Sequence, residues 1–167
     1  MLTIREKMLF NLGLVQVISI CDSLGDQRTV SKLEYALDRI DLASPDISVV
    51  PPESLERYQA LQKEMLDTFS FLFHRPGCSC EIPAGTLSTR EKAAVRLGVA
   101  LGGTLCENLG SFLVLLPLMI IENQIDSKFP EIALGDEKNE EFYSLFQSEI
   151  SKEMMDPVIQ MQKDKLN

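Results

Sequence analysis

The chain has no tryptophan, and only one histidine, His74, to serve any chemistry that needs an imidazole. One histidine places no Ser-His-Asp triad convincingly, no G-x-x-x-x-G-K loop is present to cradle a phosphate, and no paired acids sit inside an apolar helix face. Cysteine is scarce as well. Four of them, unevenly placed, are no disulfide framework for a chain this apolar. Cys21 and Cys106 lie in apolar segments where a free thiol acts as a small hydrophobe, so a reducing, cytoplasmic setting is expected. Basic residues number 16 against 25 acids, for a net charge of −9. That balance repels phosphate backbones and anionic lipid heads, which excludes nucleic acid as a partner. No apolar run reaches the roughly 20 residues of a membrane-spanning helix. The longest, residues 109–121 (LGSFLVLLPLMII), reads as a buried central helix. Its alternative reading is a hairpin that leaves the fold and inserts, as in membrane-active bundles. The first 21 residues imitate a signal peptide, but Glu6 interrupts them and no small-residue cleavage site follows. Period-two alternation is missing too, so strands are not expected.

What is present is an internal repeat. Residues 2–25 and 87–110 align without a gap at an offset of 85, with nine of 24 positions identical. Average residue usage would give about one or two. The same offset pairs Ile40-Asp41 with Ile125-Asp126, Pro45 with Pro130, Ile47 with Ile132, Tyr58 with Tyr143, Gln62 with Gln147 and Glu64 with Glu149. The expected fold is all-α, a single domain over residues 1–167. It is read as a six-helix bundle of two three-helix repeats, residues 1–85 and 86–167, related by a pseudo-twofold axis.

Within each repeat the punctuation is similar. Thr3 with Glu6, and Ser88 with Glu91, match capping boxes that open helices ending at Gly25 and Gly110. Ser31 with Glu34 suggests the second helix start, and Leu55 to Leu72 the third helix. In the second copy a helix covers residues 111–125, with Pro117 expected to kink or split it. A last helix carries Phe142, Phe146, Ile150 and Met154 on one stripe and stops at Asp156-Pro157, with a short tail helix after it.

Every fourth residue of the second copy's first helix is small: Ala94, Gly98, Gly102, Cys106 and Gly110. Glycine inside a helix costs about 1 kcal/mol relative to alanine, so such a line needs a reason. Close approach of another backbone supplies one. The two first helices are therefore expected to cross with Gly13 and Gly98 at the contact, and with Cys21, Gly102 and Cys106 along it.

Candidate chemistry centres on His74, Cys78 and Cys80, which offer three nitrogen and sulfur donors to zinc within seven residues. The C-x-C spacing is tighter than the usual C-x₂₋₄-C, and the cluster lies in the Pro- and Gly-containing join between the copies. Structure is the first reading there, with zinc or thiol chemistry the alternative. Arg5-Glu6-Lys7 and Arg90-Glu91-Lys92 read as capping acids beside solvated cations, or as cations that hold the other repeat. Asp22 and Glu107 match as acids, read first as helix-end residues in solvent and otherwise as a carboxylate pair if both face the axis. The corner Asp22 to Asp26 followed by Glu34 loosely resembles TerB-like tellurite-resistance domains, over that corner alone; the second copy departs from it at Ser111 to Pro117.

The functional expectation is a non-enzymatic interaction, adaptor or chaperone-like protein that binds another protein or a helical peptide, with homo-oligomers allowed. Its surface is placed on Phe142, Phe146, Ile150 and Met154, next to a Met-rich end. No catalytic or cofactor-binding residue is assigned.

Overall fold

The computed structural model describes residues 1–47, 52–73, 77 and 85–166. Among these residues every regular element is helical. The first two helices are α1 (Ile4–Ser23) and α2 (Gln27–Ala43), followed by a 3₁₀ turn at Pro45–Ile47. Then come α3 (Pro52–Thr68) with a 3₁₀ turn at Ser70–Leu72, α4 (Thr89–Asn108) and α5 (Phe112–Lys128). Two further 3₁₀ turns lead to α6 (Glu140–Ile150), which runs through a π turn at Ser151–Met155 into α7 (Asp156–Leu166). No helix among the described residues is long and apolar enough to cross a membrane.

Both capping boxes form, each with the hydroxyl accepting from the third backbone N–H and the glutamate accepting from the cap's own N–H. Gly25 and Gly110 end α1 and α4 with φ of +76° and +73°, a left-handed conformation that favours glycine. Three local expectations need correction. α2 begins four residues before Ser31, because the Asp26 carboxylate accepts from Thr29 N–H and caps an earlier turn. Pro117 does not split α5. The ring deprives only the Leu113 carbonyl of its donor, and Leu113 lies 80 % exposed, on the side where water can replace it. Nor does Asp156-Pro157 end the last helix. The wider π turn just ahead absorbs the missing N–H, and the proline sits in the first turn of α7.

The core is organised by α1 against α4, the most extensively packed pair of helices. At their crossing a Cβ on Gly98 would overlap the Phe10 carbonyl oxygen and lie 3.1 Å from Gly13 Cα. A Cβ on Gly13 would overlap the Val95 carbonyl and lie 3.2 Å from Gly98 Cα. Two turns of backbone touch there with no room for a side chain. Further along, Val17 occupies the hollow over Gly102, whose Cβ would fall 2.6 Å from Val17 Cγ2. The fully buried thiols of Cys21 and Cys106 then meet with sulfurs 3.7 Å apart. Burial pushes both thiols up, Cys106 to about 12, which keeps them protonated and unreactive.

The first-turn cations are not simply solvated. Arg5 bridges Glu91 (2.6 Å) and Glu64 (2.7 Å), while Arg90 bridges Glu6 (2.8 Å) and Glu149 (2.7 Å). Hydrogen bonds from Arg5 hold Glu64 below the usual carboxylate range, and those from Arg90 do the same for Glu149. Lys7 pairs with Asp46 and Lys92 with Glu131. Tyr58 and Tyr143 donate their hydroxyls to the carbonyls of Ile47 and Ile132, tying α3 to the 3₁₀ turn at Pro45–Ile47 and α6 to the one at Pro130–Ile132. Every one of these contacts has a counterpart 85 residues on.

One such pair is chemically unequal. Arg96, 3 % exposed, grips Asp126 through Nε (2.8 Å), and its Nη1 lies 2.8 Å from Glu122, an ion pair without hydrogen-bond alignment. At the matched place Asn11 donates only weakly, at 3.3 Å, to Asp41. Burial, aided by Asp38, therefore raises the Asp41 carboxyl to about 6. Since its folded value lies above its unfolded one, Asp41 contributes stability below about pH 4 and loses it as pH rises through 6. Asp41→Asn should thus melt roughly 2–4 °C above the parent at pH 7–8, for about 1 kcal/mol after allowing for solvent screening. At pH 4 the two proteins should melt together. Thermal melts across that range check it, and equal melting at pH 8 would sink the assignment.

Candidate functional site

The surface that stands out is α5. Its entry is built like that of α2: the α4–α5 corner turns on Gly110, and the Ser111 hydroxyl donates to the Asp26 carboxylate across the matched corner. That bond, with those from Thr29, holds Asp26 below its ordinary value. Both helices are 17 residues long, and they bury matched positions: Thr29, Leu33 and Ile40 of α2, and Val114, Leu118 and Ile125 of α5.

Their outer faces differ in chemistry. On α2 the exposed positions Gln27, Arg28, Ser31, Glu34 and Tyr35 suit water. The corresponding positions on α5 are Phe112, Leu113, Leu116, Met119 and Ile120, exposed by 71, 80, 65, 58 and 50 %. The same place in the local architecture is polar once and apolar once. So the stretch 109–121 is not a buried central helix. One face reaches the core, and the other is an apolar stripe in solvent, because α5 lies at the periphery and only one side of it can be covered by α4 and its neighbours.

Beside the stripe runs an apolar groove of about 350 Å³. Pro117, Leu118 and Ile121 of α5 form one wall, and Ile20 and Leu24 of α1 the other. Val95 and Val99 line it from α4, and Met65, Leu66, Phe69, Leu72 and Phe73 close its end. Among the described residues its polar lining is limited to Gln16, Ser19 and Ser23, with no charged group. A second groove of about 320 Å³ lies between α4 and the α6–π segment, lined by Leu101, Thr104, Ile150 and Ser151 among others. These four stand 85 residues after Gln16, Ser19, Met65 and Leu66 of the first groove. On that side α7 and the π turn continue past the groove to pack on α2, whereas among the described residues α5 meets the short Ser70–Leu72 turn in the corresponding place.

The stripe proposed from sequence as an interaction surface lies elsewhere and points inward. Phe146 and Met154 are fully buried, Ile150 is buried, and Phe142 is only partly exposed. Phe146 stacks on Phe142 at 5.7 Å and carries the Arg90 guanidinium 4.6 Å above its ring. Its helical spacing was the signature of a core face, which a single sequence does not distinguish from a docking face. Asp22 and Glu107 form no carboxylate pair. Both are exposed, and Asp22 accepts from Gln27 instead. His74, Cys78 and Cys80 lie outside the described residues, and among the described ones no group of three or more metal-ligating side chains gathers. Sequence reasoning missed the α5 face, although setting α5 beside α2 at the 85-residue offset would have revealed it.

No protein-family model matches the chain, and no curated protein or solved structure matches it either. The resemblance of the first corner to TerB-like domains gains nothing from these comparisons.

Proposed function

We propose that this protein is a non-enzymatic interaction module, adaptor- or chaperone-like, working in a reducing compartment. In this reading the chain is two degenerate three-helix repeats about a pseudo-twofold axis near the Gly13–Gly98 contact. The recurrence of ion pairs, tyrosine bonds and capping boxes at one offset supports that symmetry. The second repeat has traded a solvated helix face for an adhesive one. The observation that carries the functional reading is the contrast between matched helices: polar at Gln27, Arg28, Ser31 and Glu34, apolar at Phe112, Leu113, Leu116 and Met119. Solvent exposure alone tolerates scattered apolar residues, but not a contiguous set on one helix face. The adjoining groove suits apolar side chains, as in helix-in-groove recognition. A membrane surface fits less well. Interfacial helices flank their apolar face with lysine and arginine, whereas α5 has Lys128 alone in a chain of net charge −9.

Leu116→Asp is the direct test, with Ser31→Asp at the matched place on α2 as control. With the protein as bait and co-purifying proteins quantified, the parent and Ser31→Asp should retain a stoichiometric protein partner that Leu116→Asp loses at least tenfold. Both variants should keep the parent's melting curve at about 1 µM, since Leu116 is 65 % exposed. Capture indifferent to Leu116→Asp would remove α5 as the interaction surface.

A further inference from the structure

We infer that the partner covering the α5 face is a second copy of this chain, α5 packing on α5 across a twofold axis centred near Leu116. The inference rests on the reading above that this face is an interface, and adds its occupant. The size of the patch is the first argument. Taking about 200 Å² for a fully exposed large apolar residue, the five stripe residues leave roughly 650 Å² in water. Leu24, Leu66 and Phe73, exposed by 47, 40 and 71 %, line the adjoining groove and are not counted in that area. A typical monomer's largest apolar patch is about 300–600 Å², and a stable interface needs about 800 Å² from each partner. The stripe alone therefore lies above what a monomer usually shows and supplies most of one half of a standard dimer.

Charge is the second argument. In a twofold interface, residues near the axis meet their own kind, so any acid there repels its copy. A protein of net charge −9 can pair with itself only through a surface cleared of acids, and residues 109–121 contain no charged group. The acids that α5 does carry at its inner positions, Glu122 and Asp126, are drawn to Arg96 of the same chain and away from the stripe. The stripe's spacing of one, four, seven and eight residues from Phe112 runs two turns along the helix, which lets two copies interlock.

Sedimentation equilibrium and light scattering of the full chain from about 1 to 100 µM test this, because self-association follows mass action. The parent should approach twice the chain mass at the upper end and fall toward one on dilution. Leu116→Asp should stay at one chain mass throughout and share the parent's circular dichroism melt at about 1 µM, where the parent too is largely monomeric, while Ser31→Asp follows the parent at every concentration. Should Leu116→Asp fail to fold, Leu113→Gln, at a still more exposed position, should weaken the dimer at least tenfold. A parent that stays monomeric, or a dimer indifferent to both variants, overturns the inference. A monomer that captures another protein through Leu116 overturns it while leaving the interaction reading intact. A Leu116-dependent dimer that captures nothing else upholds it and ends the adaptor reading.

Discussion

Gly98→Ala should melt roughly 5–10 °C below the parent, a loss of about 2–3 kcal/mol from one added methyl group. On propensity alone the substitution ought to stabilise α4 by about 1 kcal/mol. The crossing reverses the sign. A Cβ at Gly98 would overlap the Phe10 carbonyl oxygen and press on Gly13 Cα, and both are backbone that cannot swing aside as a side chain would. Relief requires α1 and α4 to move apart, which opens the packing of Val17 over Gly102 and of Cys21 against Cys106. Gly98→Leu should fail to form the fold at all. Gly103→Ala is the internal control, because its Cβ would meet nothing nearer than Glu122 Oε1 at 3.5 Å. It should be neutral or more stable by up to about 1 kcal/mol. Thermal and denaturant unfolding of the three variants decides the matter. If Gly98→Ala and Gly103→Ala unfolded alike, the crossing would not be where it is drawn.

Phe146→Ala comes next, with an expected loss of about 3–5 kcal/mol, enough to leave a protein of ordinary stability largely unfolded. The ring is fully buried, stacks on Phe142 and supports the Arg90 guanidinium that joins Glu6 to Glu149. Truncation removes the transfer energy of the ring, leaves a cavity, and loosens a brace between α1, α4 and α6. Phe146→Leu should recover much of the loss by refilling the volume. Leu116→Asp provides the contrast on α5, with a melt at about 1 µM unchanged despite a harsher chemical substitution. The pair discriminates sharply between the surface expected from sequence and the surface found in the structure. A stable, monodisperse Phe146→Ala would mean that α6 packs differently from the arrangement described here.

How far the sequence carries can be judged from particular residues. The helical class, the capping boxes at Thr3 and Ser88, and the glycine stops at Gly25 and Gly110 were all legible, since each depends on residues within one or two turns. The start of α2 was placed four residues late because two capping residues competed. Asp26 prevailed over Ser31 because its carboxylate sits at the α1 corner, where it also accepts from Ser111. That Pro117 would not split α5 was hidden for a related reason. What a helix does with a missing donor depends on whether water can reach the orphaned carbonyl, and that depends on which side of α5 faces outward.

By itself the sequence determined the all-helical class and carried residue identities that recur at an offset of 85. Period, caps and repeat offset are local or self-referential signals, and they need no knowledge of what packs on what. Only the tertiary structure decided which apolar stripe is core and which is surface. Phe142, Phe146, Ile150 and Met154 carry the same 3.6-residue signature whether they face the protein or a partner, and so do Phe112, Leu116 and Met119. Burial is a property of what stands opposite. Phe146 and Met154 are fully buried, with Arg90 of α4 over the Phe146 ring, whereas no described element covers the second stripe.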